Sequence, residues 1–146
     1  MTIIKKFYIK SLKYKYVYLI LSVLFGILLF YISTLPNSKI ENSLYPQISN
    51  LFDMMNHFFG FALFNFFLFS LFLGIFPQRI SVKMLILYFT IAILWGVLCE
   101  GIQYFIESRS FQYIDIIANT LPSPIVSIIL LKMLKNVDTS YVSGES

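Results

Sequence analysis

Residues 16–35 read "YVYLILSVLFGILLFYISTL", twenty positions without a charge, followed at once by Pro36 and Asn37. A helix of that length rises about 30 Å, which matches the hydrocarbon thickness of a bilayer. Three later stretches meet the same requirement: 54–76, stopped by Pro77, then 84–106, and then 113–134. The expected fold is therefore all-α: a polytopic membrane protein with four transmembrane helices in a compact bundle.

Composition demands the same solvent. Of the 146 residues, 58% are hydrophobic and only 12% charged, with 16 Phe and 10 Tyr and a mean hydropathy of +0.79. A soluble domain averages about 25% charged residues, and a chain this short cannot bury so much apolar surface within itself. The excess faces lipid, so the bilayer is the first partner. Length allows one domain, placed at 16–134 between a basic segment, 1–15, and a polar tail, 135–146, expected to be disordered. The single cysteine, Cys99, excludes an intramolecular disulfide and any CxxC redox or metal site. No Walker loop, GxSxG or HExxH occurs, and no cofactor or metal is expected.

The net charge of +4 does not point to nucleic acid, because the basic residues follow a membrane pattern. Lys5, Lys6, Lys10, Lys13 and Lys15 precede the first span, as they would in a signal peptide. The apolar run exceeds the about 7–15 residues of such a segment and no A-x-A-like site follows, so a retained helix is expected. With the N-terminus cytoplasmic, those five share their side with Arg79, Lys83, Lys132 and Lys135, leaving Lys39 and Arg109 outside. That asymmetry places both termini in the cytoplasm of a multi-pass cell-membrane protein, with loops 36–52 and 107–112 outside. Loop 36–52 reads as a flap or a short interfacial helix.

Polar residues then fall into one layer. Asp53 and His57 stand four apart at the start of the second span. Glu100 and Gln103 stand three apart near the end of the third, and Asp115 and Asn119 four apart at the start of the fourth, with Arg109 between. Each pair shares a helix face, and the topology puts all of them in the outer leaflet. Glu100, about 9 Å from a helix end at Ile106 by the α-helical rise, costs up to about 3 kcal/mol if charged and facing lipid. It should face the bundle interior and find a partner, be protonated, or line a wet cavity; His57 and Arg109 are the basic groups within reach. Asp53 and Asp115 also suit helix N-termini as caps. Asp53, Glu100, Asp115 and His57 have the chemistry to hold a divalent cation, although spacing alone does not select one. Asn56 and Asn65 suit interhelical hydrogen bonds, Trp95 and the Phe-rich face of the second span suit core or lipid contact, and Pro122 and Pro124 should bend or unwind the fourth span. From the residues alone the layer reads equally as a polar plug that fixes helix packing or as a functional pocket.

These residues also carry a resemblance. "DMMNHF" at 53–58 resembles the D-K-x-x-H-F opening of the second conserved span of VanZ-like membrane proteins. "EGIQYF" and then "RSFQYIDIIANT" resemble that family's E-x-x-Q-x-F followed by R-x-x-x-x-x-D-x-x-x-N, and "STLPNS" is similar to the end of its first span. The similarity covers residues 15–131 in order and spacing, with Met54 where the family often has Lys, Pro122 where it usually has Gly, and Pro124 where small residues are common. The founding member is associated with resistance to the lipoglycopeptide antibiotic teicoplanin. The resemblance thus implies a cell-envelope protein whose motif residues are Asp53, His57, Glu100, Gln103, Arg109, Asp115 and Asn119.

Two functions compete. In the first, an outward-facing pocket binds or acts on an amphiphile: a lipoglycopeptide, a lipid-linked wall intermediate or a lipid head group. His57, Glu100 and Asp115 would then be the catalytic candidates, with Asp53, Gln103, Arg109 and Asn119 holding the ligand. In the second, a non-enzymatic membrane protein uses the layer only to hold its helices. Ion transport fits poorly, because no carboxylate lies deeper in the second or third span. Whether the protein is an enzyme, and its oligomeric state, are left open by the sequence.

Overall fold

The computed structural model describes residues 12–35, 46–76, 81–106 and 113–142, with the side chains of 46–53 and 134–142 outside the description. Among the described residues the helices, in order, are α1 (Lys15–Thr34), α2 (Pro46–Ile75), α3 (Val82–Gln103), α4 (Tyr113–Thr120) and α5 (Pro122–Val142). Four segments are long and apolar enough to cross a membrane: Lys15–Thr34, Met54–Ile75, Val82–Gln103 and Tyr113–Met133. They pack together, and no strand occurs among the described residues. This is an all-α, polytopic helical membrane protein.

Local chemistry sets the ends. Leu35, held extended at φ −69° and ψ 136° ahead of Pro36, stops α1 as a residue before proline should. Pro46 opens α2 at the first helical position, where its missing N–H costs nothing. Ser81 caps α3 by accepting a hydrogen bond from the Met84 N–H at 3.2 Å.

Three ends differ from the sequence expectation. Helix α2 begins at Pro46, so much of the expected loop 36–52 is helix continuous with the second span. Helix α3 ends at Gln103, with turns at Tyr104 and Phe105, and not at Ile106. Glu100 therefore lies about 4.5 Å from the helix end by the α-helical rise, half the expected depth. The last helix continues to Val142, about two turns past the expected end near Leu134. No Gly or Pro stands between Pro124 and Gly144 to stop it, and the expected tail from 135 is helical that far. Residues 1–11 lie outside the described residues.

The second span is the hub: 56% of its apolar window is buried against 17% for the first. Phe61, Phe64, Phe69, Phe72 and Leu73 of α2 close around Met84, Tyr88 and Ala92 of α3 and Leu130 of α5. The Tyr88 ring meets Phe69 edge-on with centroids 4.9 Å apart. On the outside, Ile20, Val23, Leu24, Ile27 and Leu28 of α1 and Ile86, Leu94, Val97 and Leu98 of α3 are exposed, which is the arrangement for a lipid solvent.

Glycine sets how closely the spans approach. A Cβ on Gly26 would lie 3.3 Å from the Phe64 ring and 3.5 Å from Trp95, whose indole N–H donates to the Gly26 carbonyl at 3.2 Å. Small residues at such points bring backbones together, the usual basis of packing between membrane helices.

Candidate functional site

The fourth span is broken where its prolines predict. Thr120 ends α4, Leu121 is a turn, and Pro122 begins α5. Pro124 has no N–H for the carbonyl of Thr120, and the Ser123 hydroxyl donates to that carbonyl at 2.8 Å instead. Thr120 donates its own hydroxyl to the Ile116 carbonyl at 2.8 Å. Tyr88, fully buried on α3, shares its one hydroxyl proton between the Ser123 carbonyl at 3.1 Å and Asn65 Oδ1 at 2.9 Å. Asn65 completes its hydrogen bonding by donating from Nδ2 to the Phe61 carbonyl at 2.8 Å. The Thr120 carbonyl is thus satisfied within the fourth span itself, and Tyr88 ties that span to α3. Asn65 makes the interhelical bond expected of it, whereas Asn56 is exposed.

Holding α4 as a separate short helix fixes the polar layer. Asp115 and Asn119, four apart, are both buried, at 4% and 0% exposure. On α3, Glu100 (0%) and Gln103 (2%) are buried on one face, and Gly96 one turn earlier lets α4 approach. A Cβ on Gly96 would lie only 3.1 Å from Asn119 Cβ. Across that contact Asn119 Nδ2 donates to the Gly96 carbonyl at 3.4 Å, and Asn119 Oδ1 lies 2.9 Å from His57 Nδ1. Asn119 therefore ties the second, third and fourth spans together at one level.

This geometry assigns the His57 tautomer. The Gly96 carbonyl only accepts, so the Asn119 amide must turn its nitrogen toward it and its oxygen toward the ring. Nδ1 then carries the proton, and in the neutral imidazole Nε2 holds the basic lone pair.

Of the seven expected residues, the structure buries Glu100, Gln103, Asp115 and Asn119 and joins His57 to Asn119. Asp53 falls within α2 with its side chain outside the description, and Arg109 lies outside the described residues. Among the described residues no group of three or more His, Cys, Asp or Glu side chains could hold a metal ion, so His57, Glu100 and Asp115 do not form one.

The structure adds residues that sequence reasoning passed over. Ser33, near the end of α1, is buried at 3% exposure, and its hydroxyl donates to the Leu29 carbonyl at 2.8 Å. Gly96 and Tyr88 were likewise hidden, since a lone Gly or Tyr in an apolar run gives no sign of its partner.

No protein family, curated protein or solved structure matches the chain. What is shown is a polytopic helical bundle with some buried polar residues. The VanZ-like resemblance rests on the ordered motif residues alone.

Proposed function

We propose that this protein is a VanZ-like envelope protein whose polar layer forms an outward-facing membrane pocket for an amphiphile. The observation that carries this reading is the burial of Glu100, Gln103, Asp115 and Asn119 on two spans, with His57 of a third hydrogen-bonded to Asn119. Ionisable side chains within membrane spans are functional candidates, because burying them is costly for a bundle that needs them only for packing. The domain is 16–134, and the lysine asymmetry orients both termini to the cytoplasm. The layer then lies at the outer leaflet, within reach of a lipoglycopeptide, a lipid-linked wall intermediate or a lipid head group. Should the pocket perform chemistry, His57 acts through Nε2 as base or acid beside Glu100 or Asp115. Arg109 and Asp53 complete the ligand contacts.

The test is teicoplanin susceptibility of a sensitive Gram-positive host expressing the protein, beside Glu100→Gln at matched membrane abundance. A raised inhibitory concentration that the variant loses supports the pocket and the resistance role. Unchanged susceptibility in both removes the resistance role.

One observation favours a second reading, a layer that only holds the helices. Asn119 spends both ends of its amide within the protein, on His57 and Gly96. On that reading layer substitutions lower stability and phenotype in step, and a loss of phenotype at full stability refutes it.

A further inference from the structure

The described charges are sorted by end. Phe25 of α1 meets Phe67 of α2 with ring centroids 5.2 Å apart, and Leu29 lies against Gly60, so these helices run antiparallel. Phe69 against Tyr88 and Phe64 against Trp95 set α3 antiparallel to α2, and hence parallel to α1. Lys13 and Lys15 at the start of α1 and Lys83 at the start of α3 therefore share one end of the bundle. The fourth span runs back toward that end, from Asn119 beside Gly96 to Ser123 beside Tyr88, and carries Lys132 there. Glu100 and Asp115, the carboxylates among the described side chains, stand at the other end.

Two of these lysines are level with each other. Trp95 lies beside both Gly26 and Phe30, and the same stagger between parallel helices sets Lys83 level with residues 14–18. Lys15 falls in that window. It also stands on the inward stripe of α1, seven and eleven positions before buried Ser22 and Gly26. Lys83 is exposed on α3. Among the described residues α1 packs on α2 and α3 and not on α5, so Lys132 belongs to a helix that α1 does not touch.

Like charges at one level repel unless an anion lies between them, the more so where lipid lowers the dielectric. Exposed Tyr14 and Tyr16 place the pair in depth, because tyrosines at the end of a span sit at headgroup level. The Lys13 and Lys15 ammonium groups lie 5.4 and 5.3 Å from those ring centroids. The anion of that zone is a lipid phosphate, whose oxygens accept from two ammoniums at once. A zwitterionic headgroup would bring its own cation against these lysines, so a headgroup of net negative charge fits. Exposed Ile20 and Leu24 of α1 and Leu87 and Leu94 of α3 offer apolar surface to the acyl chains.

We infer that Lys15 and Lys83, with Lys13 beside them, bind the phosphate of an anionic glycerophospholipid and so tie α1 to α3. The first span gains most from such a tie, since only 17% of its apolar window is buried. The site lies at the end of the bundle opposite Glu100 and Asp115 and is independent of the pocket reading.

The experiment uses the full chain in nanodiscs of phosphatidylcholine alone or doped with phosphatidylglycerol. Lipid retained in native mass spectrometry and the unfolding midpoint are read for the natural sequence, Lys15→Gln, Lys83→Gln and Lys132→Gln. Phosphatidylglycerol should be retained in preference to phosphatidylcholine and should raise the midpoint. Lys15→Gln and Lys83→Gln should each weaken retention about fivefold, the attraction of one lysine to an anionic leaflet, and lose the rise. Lys15→Arg should keep both, and Lys132→Gln, the same change of charge on α5, should leave both unchanged.

An equal loss in Lys132→Gln overturns the site, because diffuse attraction to a basic end then explains the retention. Equal retention of the two lipids by the natural sequence overturns it as well. A midpoint lowered as much in phosphatidylcholine alone by Lys15→Gln makes that lysine a packing group and overturns its role. A rise reproduced by inorganic phosphate overturns the lipid part of the inference.

Discussion

Replacing Gly96 by Ala tests the contact on which the polar layer is built. The added methyl would lie 3.1 Å from Asn119 Cβ, 3.4 Å from Thr120 Cγ2 and 3.5 Å from the Asn119 carbonyl carbon. Carbon atoms prefer about 3.5–4.0 Å, so the closest pair is short by about 0.4–0.9 Å on that scale. The obstructing Cβ and carbonyl carbon are fixed to the α4 backbone, so the helix must move and cannot simply rotate a side chain. Overpacking of this kind costs about 1–3 kcal/mol, and the better helix propensity of Ala returns about 1 kcal/mol at most. The expected net loss is about 0–2 kcal/mol from those two terms. It should come with a weaker His57–Asn119 bond, because α4 carries Asn119 away. Two other glycines give internal controls. A Cβ on Gly60 would approach Leu29 Cδ2 at 2.9 Å, but that atom ends a flexible side chain and can swing aside. A Cβ on Gly101 meets nothing within 4 Å. Gly101→Ala should be neutral or stabilising by up to about 1 kcal/mol, with Gly60→Ala between the two. The assay is reversible unfolding in mixed micelles by titration with dodecyl sulfate, followed by circular dichroism. If Gly96→Ala unfolds no earlier than Gly101→Ala, close approach at Gly96 does not position the layer and the reasoning fails.

Three further outcomes are expected. Tyr88→Phe keeps the buried ring but removes the donor to Asn65 and Ser123, lowering stability in the same titration by about 1–2 kcal/mol. In a double-mutant cycle with Asn65→Leu the coupling should be about 0.6–1.7 kcal/mol, the range for hydrogen bonds between membrane helices; additivity would contradict the bond. Ser123→Ala leaves the Thr120 carbonyl without its hydroxyl donor and should cost about 0.5–1.5 kcal/mol, with no loss if the break is satisfied otherwise. Nitrogen-15 NMR of ring-labelled protein should show neutral His57 protonated at Nδ1, and Asn119→Leu should release that preference. A Nε2–H tautomer in the natural sequence would refute the orientation argued from Asn119 and Gly96.

The number and type of the spans were legible because hydrophobic length is a local property: twenty uncharged residues before Pro36 allow little else in a bilayer. The break in the fourth span was equally plain, since Pro122 and Pro124 lack the N–H groups an unbroken helix needs. Helix ends were less so. The expected end of α3 at Ile106 ran past Gln103 because apolar composition continues through Tyr104 and Phe105, where only backbone geometry shows the turn.

The layer divides in the same way. That Glu100, Gln103, Asp115 and Asn119 would avoid lipid follows from the cost of burying polar groups there. Their partners did not follow. Asn119 pairs with His57, 62 positions away in the chain, and with the Gly96 carbonyl, 23 away, and no periodicity encodes either choice. The sequence by itself determined the solvent, the span count and the faces that had to be hidden, because those depend on each residue's transfer from water to lipid. Only the tertiary structure decided that Asn119 is spent within the protein while Gln103 keeps an unmet donor, because hydrogen bonding between spans depends on angstrom-scale approach, set here by Gly96.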